Sequence, residues 1–438
     1  KSKTARALQL GVSACLRARL SIFSQLLRLC VPIRNFSLLA ACLSCLLFAS
    51  PSPQALSQAS IQQILNNGPA GKRVNIAFLS EGYTASQLPQ FLTDARNGLD
   101  YLMTVEPYNE YKNYFNAFAI SVASNESGSD HPSRGIFRDT YFNSSYESYG
   151  LARGLTIPPN DWDPNPADGF GKAHALLENL LPEWDVIVLI VNDPEFGGWG
   201  DKRGAISSVQ DLFPEIIAHE LGHAFGGLND EYSDPFPGDP DPVVEEPNTT
   251  QENRREFIKW RAWISDRTPI PTPQTSEYGN VVGLFEGARF QSTGWYRPKL
   301  TCKMRAFFQP FCEVCREALV KSIYTRVRPV ESFSPSGTTI SVVGSQFVSF
   351  SFVPMLPSTH KLDIQWFVNG SSIGGATLPA FSVSTAALGN GTQSIKVEAS
   401  DLTPMVRTDP TNLLRDSVAW NLMVSGIQAP PPRPRRRP

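Results

Sequence analysis

The hydrophobic and polar positions of this chain follow one pattern up to about residue 328 and another beyond it. In the first part, continuous apolar runs at 73–79, 115–122 and 184–191 predict strands that are buried on both faces of a sheet. Apolar residues three or four positions apart predict an amphipathic helix over 84–103. Strands and helices that alternate in this way predict a mixed α/β domain.

The polar segments between these elements are predicted to be loops. Residues 58–72 are expected to be flexible, and residues 124–159 are expected to be mostly loop because they are rich in Ser, Gly, Tyr and Asp. His131 lies in the second segment and is expected to be solvated. His174, on a predicted helix at 171–181, is expected to be a packing residue rather than a metal ligand.

Beyond residue 328 the composition shifts to Ser, Thr, Val and Gly. Short strand-like runs there are separated by turn residues such as Asn369-Gly370. They predict an immunoglobulin-like β-sandwich over 329–426 with Trp366 as its core aromatic, although no cysteine pair spans its sheets. The sandwich carries no catalytic cluster, so it is predicted to be a binding or spacer module, with contact to a cell surface or matrix as a candidate role.

The two ends of the chain are predicted to lie outside the folded domains. In residues 1–57, arginines precede an apolar run at 36–48 and a Ser-Pro repeat follows it, which is the pattern of a secretory signal. This segment predicts a protein that is secreted, periplasmic or at the cell surface. Cys42 resembles a lipoprotein cleavage site, but it lies inside the apolar run rather than after it, which disfavours lipid anchoring. Residues 427–438, rich in Pro and Arg, are predicted to be a disordered tail.

The overall composition is that of an ordinary globular protein, with 41% hydrophobic and 18% charged residues. A length of 438 residues is enough for two domains, so a folded region over 58–328 is predicted to precede the sandwich. The formal net charge of −2 provides no general attraction to nucleic acid or to an anionic membrane, and no nucleic-acid partner is expected.

The candidate chemistry lies in one stretch, FPEIIAHELGHAFGGLNDEY at 213–232. His219 and His223 are four positions apart, so both side chains project from the same face of a predicted helix. Zn²⁺ prefers imidazole nitrogens, and two histidines at this spacing supply two of its ligands. Glu220 lies between them and is placed to accept a proton from a water at the metal. Apolar neighbours such as Leu221 predict a buried helix. Burying two histidines and a glutamate on one face is unfavourable, so their presence there indicates a functional role.

Signals at both ends predict the limits of this helix. Asp211 is predicted to cap its N-terminus. Gly226-Gly227 is predicted to end the helix and to reverse the chain. One of Asn229, Asp230 and Glu231 would then face the metal.

Further motifs accompany the helix: LSEGY, FEGA, WYRP, CKMR and FCEVCR at 79–83, 285–288, 295–298, 302–305 and 311–316. In combination they resemble the IgA-peptidase family of zinc metallopeptidases, relatives of the metzincins, over roughly residues 72–325. The resemblance implies a metzincin-like catalytic domain over 58–328, with a mixed twisted sheet, an active-site helix, and Met304 in a turn under the zinc. It also implies that an edge strand near 197–209 pairs with an extended substrate, although a plain hairpin fits the same residues.

The third metal ligand departs from the metzincin pattern. That pattern places it ten positions after the first histidine, where this chain has Asn229, a poor zinc ligand. Asp230 is nearest to that position and has the shorter side chain, so it is predicted to complete the site with His219 and His223. Glu231 is predicted to orient a ligand histidine or an arginine, and an exchange of these two roles is left open.

The resemblance implies a secreted zinc metallopeptidase with Glu220 as general base, and the expected subtype is an endopeptidase. Its substrate would be a protein or peptide, with immunoglobulin or another extracellular glycoprotein as a candidate. Two alternatives stay open: a zinc-dependent hydrolase of another bond, such as a deacylase, and a surface adhesin with a vestigial metal site. The intact His-Glu-His set favours an enzyme.

Four of the seven cysteines lie within residues 1–57, and the others are Cys302, Cys312 and Cys315. In an exported protein these three allow one disulfide and one free thiol. Cys312 and Cys315 also fit a redox pair or part of a second zinc site, but no fourth ligand is near them in the sequence. The prediction is therefore a disulfide that ties the turn at Met304 to the following helix.

Overall fold

The computed structural model describes residues 59–234 and 244–428. The predicted signal segment 1–57 and most of the predicted tail 427–438 lie outside the described residues. Within the described ranges, no helix has both the length and the apolar character needed to span a bilayer.

Up to residue 328 the fold is the predicted mixed α/β arrangement, in which helices cover one large sheet. The α-helices of this region are α1 (Leu88–Leu102), α2 (Phe170–Leu180), α3 (Phe213–Ala224) and α4 (Glu313–Tyr324). The strands of the large sheet are β1 (Ser60–Leu65), β2 (Val74–Glu81), β3 (Phe115–Ser121), β4 (Val186–Val191), β5 (Gly198–Asp201) and β6 (Gly204–Ser208). A separate hairpin consists of β7 (Phe285–Ala288) and β8 (Gln291–Arg297).

The strand order of the large sheet is β1-β3-β2-β4-β6-β5. The four central strands are parallel, whereas β1 and β5 are antiparallel strands at the two edges. The predicted central strands are confirmed at β2, β3 and β4, and every residue in them is buried, as expected when helices and loops cover both faces. Both β5 and β6 contact α3, so one edge of the sheet borders the helix that carries the candidate chemistry.

The sheet separates two hydrophobic cores because its side chains alternate between the two faces. Ile76 and Phe78 of β2 belong to the core that contains α1, α3 and α4. Ala77 and Leu79 belong to the second core, which contains α2 and parts of the loop at 141–157. Helix α3 is therefore fixed against one face of the sheet by its apolar side.

Two local predictions are wrong. Residues 60–65 are not a flexible segment, since they form β1 and pair with β3. The side chains of β1 are largely exposed and show no apolar alternation, so main-chain hydrogen bonds hold this strand. Asp211 does not cap α3, because the helix begins after Leu212, whose N–H donates to Gln210 Oε1 at 2.8 Å.

Beyond residue 328 the chain forms two sheets around one shared core. The elements of this region are β9 (Val330–Ser334), β10 (Thr339–Val343), β11 (Phe347–Pro354), β12 (Asp363–Val368), β13 (Ser371–Ser372), β14 (Ala380–Ser384), α5 (Thr385–Leu388), β15 (Gly391–Ser400) and β16 (Arg415–Ser425). The sheet orders are β10-β16-β15-β12-β13 and β14-β11-β9. Trp366 lies in the core, as expected, and its ring stacks on Trp420 with centroids 5.9 Å apart. The likeness to an immunoglobulin domain stays a prediction.

A buried polar cluster joins these sheets to the α/β region. The carboxylate of Asp401 accepts hydrogen bonds from the hydroxyls of Tyr111 and Tyr324, each at 2.7 Å. His360 bridges two carboxylates, with Nε2 2.7 Å from Asp401 Oδ1 and Nδ1 2.8 Å from Glu110 Oε1. Burial alone would lower the pKa of His360, but the hydrogen bond and charge of Asp401, and then those of Glu110, outweigh burial and raise this pKa. The two carboxylates therefore stabilise the protonated, positively charged form of His360.

We predict that His360→Gln lowers the free energy of unfolding by about 1–2 kcal/mol at pH about 6, and that this loss becomes smaller as the pH is raised to about 9. The pKa of folded His360 is raised above its unfolded value of about 6.5. Its stabilising contribution is therefore complete below that value and disappears as the pH rises through the raised pKa. Urea unfolding of both proteins at the two pH values measures the difference. Lys361→Gln, at the exposed neighbouring residue, is the control. An equal loss of stability at both pH values would contradict the charged role of His360.

Candidate metal centre

Helix α3 presents His219 and His223 on one face, one turn apart, and main-chain carbonyls orient both rings. His219 Nδ1 donates to the Lys303 carbonyl at 2.9 Å, and His223 Nδ1 donates to the Leu228 carbonyl at 2.7 Å. In the neutral rings Nδ1 then carries the proton, and each Nε2 is left with a lone pair for a metal ion.

The chain reverses after α3 and brings Asp230 back to the two histidines. Gly227 permits the reversal because its φ of +60° lies in the left-handed region. Asp230 Oδ1 lies 3.1 Å from His219 Nε2 and 3.3 Å from His223 Nε2. Nitrogen and oxygen ligands of one tetrahedral zinc ion are about 3.3–3.4 Å apart, so these three side chains fit such an ion.

Asn248 fixes the turn that carries Asp230, and sequence analysis did not identify it. Its buried amide accepts from the Asn229 N–H and donates to the Asn229 carbonyl, both at 2.8 Å. The side chain of Asn229 accepts from the N–H of Asp230 at 2.7 Å, so it belongs to the turn and not to the histidine pair. No local signal points to Asn248, because it contacts a segment 19 residues earlier in the chain.

Burial and mutual charge set the protonation of this group. Burial alone would lower the pKa of His223, but the charge of Asp230 and the hydrogen bond to it raise this pKa to about 9. Burial alone would raise the pKa of Asp230, but the charge of His223 and the hydrogen bond to His219 hold it well below its ordinary value. In the metal-free protein a carboxylate therefore pairs with a protonated imidazole, and a metal ion would take the place of that proton.

Glu220 lies beside this group and against the edge strand β5. Its Oε2 is 4.0 Å from His223 Nε2. A Cβ atom at Gly200 would lie 2.7 Å from Glu220 Oε2, and one at Gly198 would lie 2.8 Å from Oε1, so glycine is needed for β5 to approach this carboxylate. Burial raises the pKa of Glu220, and the charges of His219 and His223 offset this only in part.

The turn at 302–308 is tied to α3 by a buried ion pair. Lys303 Nζ lies 2.7 Å from Glu215 Oε2, and the N–H of Phe308 donates to the same oxygen at 2.9 Å. Met304 is fully buried and packs against Gly222 of α3, where a Cβ atom would collide with its sulfur. The turn thus lies directly against the helix that carries the two histidines.

The other two histidines considered in the sequence analysis lie outside this group. The prediction that His131 is solvated is wrong, because this residue is buried. Its Nε2 is 3.0 Å from Asp193 Oδ2, and its ring stacks on Tyr146 with centroids 4.4 Å apart. The loop that carries His131 covers the second core, which its polar composition does not reveal. His174 stacks on Trp184 at 5.2 Å and is a packing residue, as predicted.

Glu231 was predicted to orient a ligand histidine or an arginine, and the structure places its charge in electrostatic interaction with Arg297 rather than beside His219 or His223. The buried carboxylate of Glu231 lies 3.3 Å from Cys315 Sγ and 3.0 Å from Asn248 Nδ2, because adjacent residues of an extended chain point in opposite directions. The predicted disulfide is not formed, since Cys302, Cys312 and Cys315 are free thiols.

Comparison with known proteins agrees with this arrangement of motifs. A family model described as IgA Peptidase M64 matches residues 62–278 and 273–323. These ranges cover more than half of the 438-residue chain and contain the histidine group and the three free cysteines. The resemblance inferred from the sequence motifs is thereby confirmed. No curated protein matches the chain.

We predict that Asp230→Ala weakens metal binding at the histidine pair by more than about 100-fold. Loss of a residue that only orients a metal ligand costs about 10–100-fold in affinity, and loss of a ligand costs more. The purified, dialysed variant should hold one metal equivalent fewer per chain by elemental analysis. Asp234→Ala, which removes an exposed carboxylate nearby, should keep the wild-type content. Wild-type metal content in Asp230→Ala would contradict its assignment as a ligand.

Proposed function

Since the chain belongs to the IgA peptidase M64 family, we propose that it is a secreted zinc metalloendopeptidase that uses Glu220 as general base. The observation that carries the proposal is the convergence of three ligand atoms beside that carboxylate. Asp230 Oδ1 lies 3.1 and 3.3 Å from the two histidine Nε2 atoms, and Glu220 Oε2 is 4.0 Å from one of them. His219, His223 and Asp230 would hold the zinc ion, and three protein ligands leave one position open, as in catalytic zinc sites.

When bound, zinc supplies Lewis-acid chemistry by polarising the scissile carbonyl and lowering the pKa of a water. Glu220 accepts the proton of the attacking water and then delivers it to the leaving nitrogen. Burial raises the pKa of Glu220, which makes it a stronger base than an exposed glutamate. The close approach of β5 at Gly198 and Gly200 limits the space available to the carboxylate of Glu220.

We propose that the substrate binds in an extended form along β5. This edge strand lies against Glu220 through Gly198 and Gly200. The main-chain groups of Gly198 are already used, since its N–H donates to the Arg153 carbonyl at 3.3 Å and its carbonyl accepts from Leu155 at 3.4 Å. Gly200, two residues further on, points its main-chain groups to the same side of the strand. A substrate strand would therefore pair at Gly200.

The proposal includes export and a protein substrate. The signal predicted at 1–57 supports secretion, to the periplasm or the cell surface. Membership of a peptidase family supports a protein or peptide substrate, whereas immunoglobulin or another extracellular glycoprotein is suggested by the family name alone. The C-terminal sheets stay a candidate for contact with a cell surface or matrix.

Activity assays with and without a chelator test the function. Purified protein is incubated with casein, a peptide library and acyl amides. The proposal expects cleavage of casein and peptides that stops on chelation and returns with zinc. Hydrolysis of acyl amides alone would support a deacylase, and metal-loaded protein that is inert on every substrate would support an adhesin.

We predict that Glu220→Gln lowers kcat by about 10²–10⁴-fold, the usual effect of removing a general base. The amide has nearly the same shape but does not accept the proton, so metal content should be unchanged. Glu178→Gln, at an exposed position on α2, is the matched control and should keep full activity. Full activity of Glu220→Gln, or loss of metal from it, would contradict the assigned role.

A further inference from the structure

We propose that Glu231, Cys302, Cys312 and Cys315 form a second zinc site with a structural role. One ligand atom of each residue lies within 4.8 Å of the other three. All four residues are buried, with exposed fractions between 0% and 3%. This inference does not depend on the peptidase mechanism, because these residues are separate from the histidine group.

The spacing of the ligand atoms fits one ion. Cys315 Sγ lies 3.7 Å from Cys302 Sγ, 3.5 Å from Cys312 Sγ and 3.3 Å from Glu231 Oε1. A tetrahedral zinc ion with Zn–S distances of about 2.3 Å separates two sulfurs by about 3.8 Å, and a sulfur from a carboxylate oxygen by about 3.5 Å. A disulfide would bring two sulfurs to about 2.05 Å. The observed distances are therefore those of ligands around a common centre rather than of a cross-linked pair.

The carboxylate of Glu231 provides an independent reason. Its Oε1 accepts from Asn248 Nδ2 at 3.0 Å, but its buried Oε2 has no hydrogen-bond partner among the described residues. An unpaired carboxylate oxygen away from water is strongly unfavourable unless a proton or a cation compensates it, and three neighbouring thiol groups make a metal cation the candidate here. Three thiolates and one carboxylate form a soft, closed ligand set that suits Zn²⁺ and not Ca²⁺ or Mg²⁺.

The surroundings stabilise negative charge at this position. Cys312 is the N-cap residue of α4 and Cys315 lies in its first turn, where the helix dipole favours thiolates. The N–H of Cys312 also donates to Cys302 Sγ at 3.3 Å. Zn²⁺ with these four ligands would carry a net charge of about −2. The guanidinium of Arg297, which interacts electrostatically with Glu231, offsets part of that charge.

The second zinc ion would join three segments: the turn after α3, the turn at 302–308 and the start of α4. Glu231 directly follows Asp230, and its N–H donates to the Met304 carbonyl at 2.8 Å. Holding Glu231 in place therefore also holds Asp230, the adjacent residue whose side chain faces His219 and His223. Because four protein ligands fill a tetrahedral site and no solvent reaches it, the role of this ion would be structural.

Metal analysis of the full chain tests the proposal. Wild type should hold two zinc ions per chain, and His219→Ala/His223→Ala should hold one. Cobalt bound to this double variant should show the thiolate-to-cobalt charge-transfer absorption, which nitrogen and oxygen ligands do not produce. Adding Cys312→Ser to the double variant should remove both the metal and the absorption. A double variant that binds no metal, or binds cobalt without that absorption, overturns the proposal.

Thiol mapping decides between zinc and a disulfide even where a cysteine variant does not fold. Wild-type protein is denatured with a chelator and without reductant, then alkylated and digested. The proposal expects alkylation of Cys302, Cys312 and Cys315 in the same sample. Two cysteines that react only after reduction would show a disulfide and overturn the proposal.

Discussion

The ion pair between Lys303 and Glu215 is the interaction on which the candidate site depends most. Its two side chains are buried and their charged atoms lie 2.7 Å apart, while the carbonyl of the same lysine accepts the Nδ1–H of His219. A single residue thus anchors the turn to α3 and orients His219, a candidate metal ligand on that helix. Loss of either charge would leave the other buried and unpaired, at a cost of about 3–5 kcal/mol.

Around this ion pair, two elements approach α3 more closely than larger side chains would permit. Gly222 leaves room for the sulfur of Met304 on one side of the helix, and Gly200 lets β5 lie against Glu220 on another. Neither contact leaves room for a larger side chain, so both glycines are needed for this close packing around α3.

Sequence patterns predicted the features that are local or periodic. Continuous apolar runs predicted the central strands, and the spacing of His219 and His223 predicted α3. The predicted turn after α3 also indicated that the carboxylate of Asp230 lies near these histidines. Apart from the local cap at Asp211, the contacts that were missed are long-range. Asn248 and Lys303 act on segments far from them in the chain, and only folding brings Glu231 to the three thiols. The edge strand β1 was missed because its main chain, not its side chains, holds it in the sheet.

The Asp401 cluster limits how readily the C-terminal sheets of this protein could be replaced by a domain from another protein. Asp401 belongs to the C-terminal sheets, yet its carboxylate is the acceptor for Tyr111 and Tyr324 in the α/β region. A different module fused after α4 would leave those hydroxyls without this acceptor unless it supplied one at the same position. In evolution or in engineering, the α/β region and the C-terminal sheets are therefore expected to be exchanged together rather than separately.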